Sequence, residues 1–156
     1  HLLEGDPQAR EFVAKMRDIT EFLGAIDLRP PAGAVTRRVT YQDACHLAHG
    51  QGIRLQPRKL LQAIPGLELV PLPESDSCCG SAGIYNLTQP EMAEAILQRK
   101  VAAIVETGAD TVAVANPGCI LQLRAGMHSH GLTVDVVHVI DLLDRAYGGG
   151  RGEHGG

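Results

Sequence analysis

The sequence predicts an α/β fold, a parallel sheet of about four strands with helices on both faces. Three observations carry this prediction. From residue 38 to 147, segments of strand and helix character alternate strictly, the pattern of a sheet whose crossovers are helices. Thr111-Val112-Ala113-Val114-Ala115 is a continuous apolar run, as expected of a strand covered on both faces. The chain has 156 residues, 44% of them hydrophobic and 21% charged, the make-up of a globular protein with a sizeable core.

Each element has its own signal. Residues from Asp6 to Leu23 read as one helix, with a cap at Asp6, Pro7 in the first turn and Gly24 at the end. Its apolar face is Phe12, Met16, Ile19, Phe22 and Leu23. Arg29 to Gly33 is a Pro- and Gly-rich connector. Arg38 to Gln42 is β-branched and aromatic, hence a strand. Gln56 to Ile64 is a short helix closed by Pro65-Gly66, and Leu67 to Pro71 is a second strand. Gln89 to Thr107 is a long helix that starts at Pro90 and stops at Gly108. Its expected core stripe is Met92, Ala93, Ile96, Leu97, Val101, Ile104 and Val105. Thr111 to Ala115 is the third strand, Pro117 to about Ser129 a helix, Thr133 to His138 the fourth strand, and Val139 to Tyr147 the last helix. No internal repeat is visible. We expect an N-terminal helix and connector over 1–33, a cysteine-rich domain over 34–147 and a disordered Gly-rich tail over 148–156.

Bulk properties narrow the function classes. A formal net charge of −4 without a basic run argues against nucleic-acid binding. No apolar stretch approaches the roughly 20 residues that span a bilayer. No secretory leader pattern opens the chain, so the four cysteines are expected to be reduced thiols in a cytoplasmic setting. The chain begins at His1 rather than Met, and we expect it to be a fragment of a longer polypeptide.

The chemistry centres on Asp76-Ser77-Cys78-Cys79-Gly80-Ser81-Ala82-Gly83. Adjacent cysteines can hardly bond to each other without strain, but they can offer two thiolates to one metal centre. Gly80 and Gly83 let the backbone approach such a centre closely. Cys45 lies just past the first predicted strand, Cys78 and Cys79 past the second, and Cys119 past the third. In a Rossmann-like parallel sheet these strand ends share one edge, where ligands bind. All four thiols are therefore expected to converge there on a metal. Asn116-Pro117-Gly118 places Cys119 in the first turn of a helix, where free amides favour a thiolate. Zinc and an iron–sulfur cluster both accept four thiolates.

Three segments carry a resemblance: Tyr41-Gln42-Asp43-Ala44-Cys45-His46, Cys78-Cys79-Gly80-Ser81-Ala82-Gly83-Ile84-Tyr85-Asn86 and Asn116-Pro117-Gly118-Cys119. A single cysteine, Cys-Cys-Gly and a cysteine after Asn-Pro-Gly resemble the cysteine-rich "CCG" domain of the heterodisulfide reductase B-like family. The family includes iron–sulfur subunits of glycolate and lactate oxidases and of anaerobic glycerol-3-phosphate dehydrogenase. The wording is most similar to the glycolate oxidase iron–sulfur subunit, over about His1 to Tyr147.

The resemblance implies a [4Fe–4S] cluster held by Cys45, Cys78, Cys79 and Cys119. It also implies ferredoxin-type modules upstream and partner subunits carrying FAD that oxidise glycolate to glyoxylate. Electrons would pass toward the quinone pool, from a position peripheral to the inner face of the cell membrane. No catalytic side chain is required of this chain. Many members end in Cys-x-x-Cys, giving five cysteines; here the last position is Gln122, and four thiolates suffice for an ordinary cubane cluster. The alternatives are a related lactate or glycerol-3-phosphate dehydrogenase subunit, thiol–disulfide chemistry as in heterodisulfide reductase, or a structural zinc domain.

Lesser candidates surround the cysteines. His46 and His49 beside Cys45 are caps or surface residues, or else hydrogen-bond to a cluster thiolate; His46 is kept as a cofactor-binding candidate. His138 is a weaker case of the same kind. Asp43 reads as a turn or cap residue, Tyr85 and Asn86 as shaping a loop, and Glu74 and Asp76 as solvated or else as lowering the potential of the site.

Overall fold

A computed structural model describes residues 5–148; the tail expected over 148–156 lies, apart from Gly148, outside the described residues. Four parallel strands form one sheet in the order β2-β1-β3-β4. They are β1 (Arg37–Gln42), β2 (Leu67–Val70), β3 (Thr111–Val114) and β4 (Asp135–His138). The α/β architecture is the expected one. Helices α1 (Pro7–Lys15), α2 (Ile19–Ala25), α3 (Leu55–Gln62), α4 (Tyr85–Thr88), α5 (Pro90–Glu106), α6 (Pro117–Ser129) and α7 (Val139–Ala146) surround the sheet, and a short π-helix spans His46–Gln51. Among the described residues no helix is long and apolar enough to cross a membrane.

Alternation along the strands builds two cores. Val39 and Tyr41 of β1, Ala113 of β3 and Val137 of β4 point to one face, against Leu60 and Leu61 of α3 and Leu142 and Leu143 of α7. Val112, Val114 and Val136 point to the other, against Leu97, Val101 and Ile104 of α5 and Leu123 and Met127 of α6. All four residues of β3 are buried, as its apolar run requires. A side chain such as Ile104, fully excluded from solvent, contributes about 1.5–3 kcal/mol by its burial.

Topology sets the site. The chain leaves β1 toward β2 on one side, and leaves β3 toward β4 on the other. Their C-terminal ends are level, with Gln42 paired to Val114 and Val114 to His138. The crevice between the ends of β1 and β3 is thus the switch point where connections diverge, the ordinary ligand position in such sheets.

Three local expectations need correction. The helix expected over Asp6 to Leu23 is two helices. Asp18 is extended and its carboxylate accepts from Thr20 N at 2.8 Å, capping a second helix after the first ends at Met16. A side-chain acceptor that bonds the next turn competes with helix continuation. The apolar face of that segment is also not packed against the described residues: Phe12, Met16, Ile19 and Phe22 are all exposed, and α1 buries no residue. On α5, Met92 and Val105 are exposed, and the buried face runs through Ala93, Leu97, Lys100, Val101 and Ile104. The π-helix after Cys45 and the single turn of α4 carried no periodic signal, being too short for one.

Candidate metal centre

Cys45 opens the π-helix three residues beyond the end of β1. Cys78 and Cys79 lie in the loop from β2 to α4, and Cys119 lies in the first turn of α6. Cys79 and Cys119 are buried in the α5–α6 core, at 2% and 6% exposure, whereas Cys45 and Cys78 are half-buried. None is in a disulfide. The Cys119 thiol donates to the Cys79 sulfur and feels the charges of Cys45 and Cys78 as well. All four thiols therefore sit within electrostatic reach of one another. Among the described residues, no three His, Cys, Asp or Glu side chains are gathered tightly enough to hold a single metal ion.

The backbone around them is built for sulfur. Gly80 N donates to Cys78 Sγ at 3.3 Å. Asn116 caps α6 by accepting from Cys119 N at 3.0 Å, which ties the cysteine to the helix start. Gly80 has φ +92, and a Cβ there would stand 2.5 Å from the Ala93 carbonyl of α5. Only glycine permits the 79–81 backbone to lie this close to the helix, independently of any bound group. Gly83 also has positive φ, at +69, but nothing lies within 4 Å of its would-be Cβ; its side faces open space.

Electrostatics separates the two buried thiols. The Cys79 thiol is pulled down from its ordinary value to about 6. The hydrogen bond from Cys119 is the main cause; burial opposes it, and the Ser81 and Cys79 amides and the Lys100 charge add to it. Cys119 moves up, because its proton is the one donated and because it is buried. One of the pair is thus a thiolate donor near neutral pH, the form that binds metals.

Two further groups hold the loops in place. Asp43, 2% exposed, accepts from Arg58 Nη1 at 2.8 Å and Nη2 at 2.6 Å and from Ser75 Oγ at 2.7 Å. Its amide donates to Ser75 O at 3.0 Å. Gln42 Nε2 donates to Asp43 O at 2.9 Å and to Ser77 O at 3.0 Å. Together they clamp the exit of β1, which carries Cys45, to the loop that carries Cys78 and Cys79. Asp43 is therefore neither a turn residue nor a cap but the buried half of an ion pair with half-buried Arg58. Arg58 lay too far along the chain to suggest itself as the partner.

The other candidates are placed as follows. His46 is exposed and lines a cavity with Val13, Met16, Asp18 and Gln51. His49 lies nearer the cysteine loop, its Nε2 at 3.1 Å from Asp76 O and its Nδ1 at 3.2 Å from Arg54. His138 caps α7, its Nδ1 accepting from Ile140 N at 3.1 Å. Gln122, at the fifth-cysteine position, accepts from Asn86 Nδ2 at 3.0 Å and so clips α4 to α6. Asp76 pairs with Arg54 at 3.0 Å. Lys100, buried beside the cysteine loop, was not among the sequence candidates. It lies between Leu97 and Ile104 on the buried face of α5.

A family model described as a cysteine-rich domain, CCG, matches residues 39–124. Among curated proteins, the chain is 43% identical over 95% of its length to the "Probable glycolate oxidase iron-sulfur subunit" of Bacillus subtilis, covering 35% of that protein. It is 41% identical over 83% of its length to a fumarate reductase (CoM/CoB) subunit of Methanothermobacter marburgensis, covering 27% of it. It is 32% identical over 96% of its length to "Lactate utilization protein A" of Oceanobacillus iheyensis, covering 64%. The chain thus spans less than two thirds of each of these relatives.

Proposed function

We propose, from the premise that this chain belongs to the cysteine-rich CCG domain family, that it is an electron-transferring part of a flavin-dependent 2-hydroxy-acid dehydrogenase acting on glycolate. Cys45, Cys78, Cys79 and Cys119 would hold a [4Fe–4S] cluster at the sheet's switch point. The observation that carries the reading is the convergence of four unpaired thiols, from three different loops, at that one edge.

Four unpaired cysteine thiols are the donor set of a four-iron cluster, with one thiolate to each iron. Bound there, the cluster would supply one-electron storage and transfer.

The chain's own residues do the rest. Cys79 and Cys119, sunk in the second core, keep water from one side of the site. The Gly80 amide, which donates to Cys78 Sγ, offers a hydrogen bond to sulfur that stabilises added negative charge. The Asp43–Arg58–Ser75 clamp fixes the two loops so that little rearrangement accompanies electron gain.

In the whole protein, glycolate oxidation to glyoxylate yields two electrons and two protons on a partner's flavin. This chain carries the electrons onward singly, through upstream ferredoxin-type modules, to a quinone at the inner membrane face. The glycolate oxidase relative at 43% identity supports this substrate over lactate.

The test is Cys79→Ser in the full-length protein with its flavin partner. Iron content should fall sharply and quinone reduction should stop, while glycolate oxidation with an artificial dye that accepts from the flavin persists. Full iron content in the variant would remove Cys79 from the ligand set.

A further inference from the structure

Lys100 is a buried cation with no carboxylate partner among the described residues. It is 2% exposed, and its Nζ donates to the Glu74 carbonyl at 2.6 Å. The Glu74 carboxylate turns away to exposed Arg99, 3.6 Å distant. Taking an ammonium out of water costs several kcal/mol, and one neutral carbonyl offsets only part of that. Glu74 itself has φ +50, a conformation that costs a non-glycine residue about 1 kcal/mol or more. Two unfavourable features thus meet at one contact. A methionine would fill the same place on α5 without the buried charge.

Position gives the reason. Lys100 lines a cavity of about 210 Å³ together with Ser77, Cys78, Ile96 and Ala103. On its other side its charge reaches the Cys79 sulfur. Of the groups that face it, Glu74 and Cys79 act most strongly, followed by Asp76 and Asp43. The ammonium is therefore buried beside the loop that carries the two adjacent cysteines, tied to it through the Glu74 carbonyl.

Resting on the cluster reading above, we infer that Lys100 is a positioning residue whose fixed positive charge raises the reduction potential of the metal centre. Four thiolates leave such a centre with a net negative charge, and each added electron makes it more negative. A buried cation favours the reduced form over the oxidised one, and the poorly polarisable surroundings keep that preference from being screened. Arg99, with 81% of its side chain exposed, has the same sign but is solvated and contributes little.

The experiment is a redox titration of the full-length protein, followed by the visible and paramagnetic signals of the reduced centre. Lys100→Met should shift the one-electron equilibrium at least tenfold toward the oxidised form, a fall of about 59 mV. Lys100→Gln keeps a donor for the Glu74 carbonyl but loses the charge, and should fall similarly. Lys100→Arg and Arg99→Met should stay near wild type. Unmoved potentials in Lys100→Gln would overturn the inference and leave Lys100 as an anchor for the loop, whatever its thermal stability. Absence of iron and sulfide from the wild-type protein would instead overturn the cluster reading, and this inference with it.

Discussion

At the scale of residues, the cysteine edge depends on side chains other than the cysteines. Asp43 is buried and twice bonded to Arg58, whose guanidinium also lies over the Tyr41 ring at 4.8 Å. Burial pushes the Asp43 carboxyl up, but the bonds from Arg58 and Ser75 and the charges of Arg58 and Arg54 outweigh it, and its pKa is lowered. The stability it contributes is therefore fully present above its unfolded value of about 3.9. It is lost as pH falls through the lower folded value. Asp43→Asn should cost about 3 kcal/mol at neutral pH, since it leaves Arg58 without its counter-charge. It should also flatten the acid limb of stability below about pH 4. Urea unfolding at several pH values checks both. Equal losses at pH 7 and pH 3 would mean that the pair acts through packing and not through charge.

At the scale of elements, the helices over the second face are set by one glycine. A Cβ at Gly126 of α6 would stand 2.9 Å from Leu97 Cδ1 and 3.0 Å from Val101 Cγ2 of α5, so the Leu97 and Val101 side chains pack directly onto the glycine. Gly126→Ala should overpack this contact and cost about 1–3 kcal/mol, lowering Tm by several degrees. It should leave the cysteine edge, at the other end of α6, with undiminished metal content. A Tm at or above wild type would show that Leu97 finds another rotamer freely.

The sequence announced most elements because each strand and long helix has a period and a stop signal. It misled where a short side chain intervened: Asp18 splits an apparently continuous helix into two. It also misled where exposed apolar residues imitated a core stripe, as at Phe12, Met16 and Phe22. The α5 face reads correctly only once Lys100 is allowed on it, and no hydrophobic pattern predicts a buried lysine. The Gly33–Ala146 contact, with Gly33 N donating to Ala146 O at 2.9 Å, ties the connector to the end of α7. A link between residues so far apart has no local signal.

At the scale of the molecule, connectivity carries the function. The strand order β2-β1-β3-β4 puts a switch point between β1 and β3, and Cys45 and Cys119 follow those two strands. Cys78 and Cys79 reach the same edge on the loop that crosses from β2. The convergence was legible because alternation fixes parallel strands and parallel strands share an edge. The clamp of Asp43, Arg58 and Ser75 was not, because it joins residues from separate crossovers; the Lys100 contact was not, because its partner is a loop carbonyl 26 residues away.

The central claim is that this edge holds an iron–sulfur cluster. The direct measurement is the iron, acid-labile sulfide and zinc content of the anaerobically purified full-length protein, compared with a variant in which Cys45, Cys78, Cys79 and Cys119 are all serine. The account predicts that wild type exceeds the variant by about four iron and four sulfide per chain. Equal iron in the two proteins, or one zinc and no sulfide lost with the cysteines, would contradict it and make this edge a structural site.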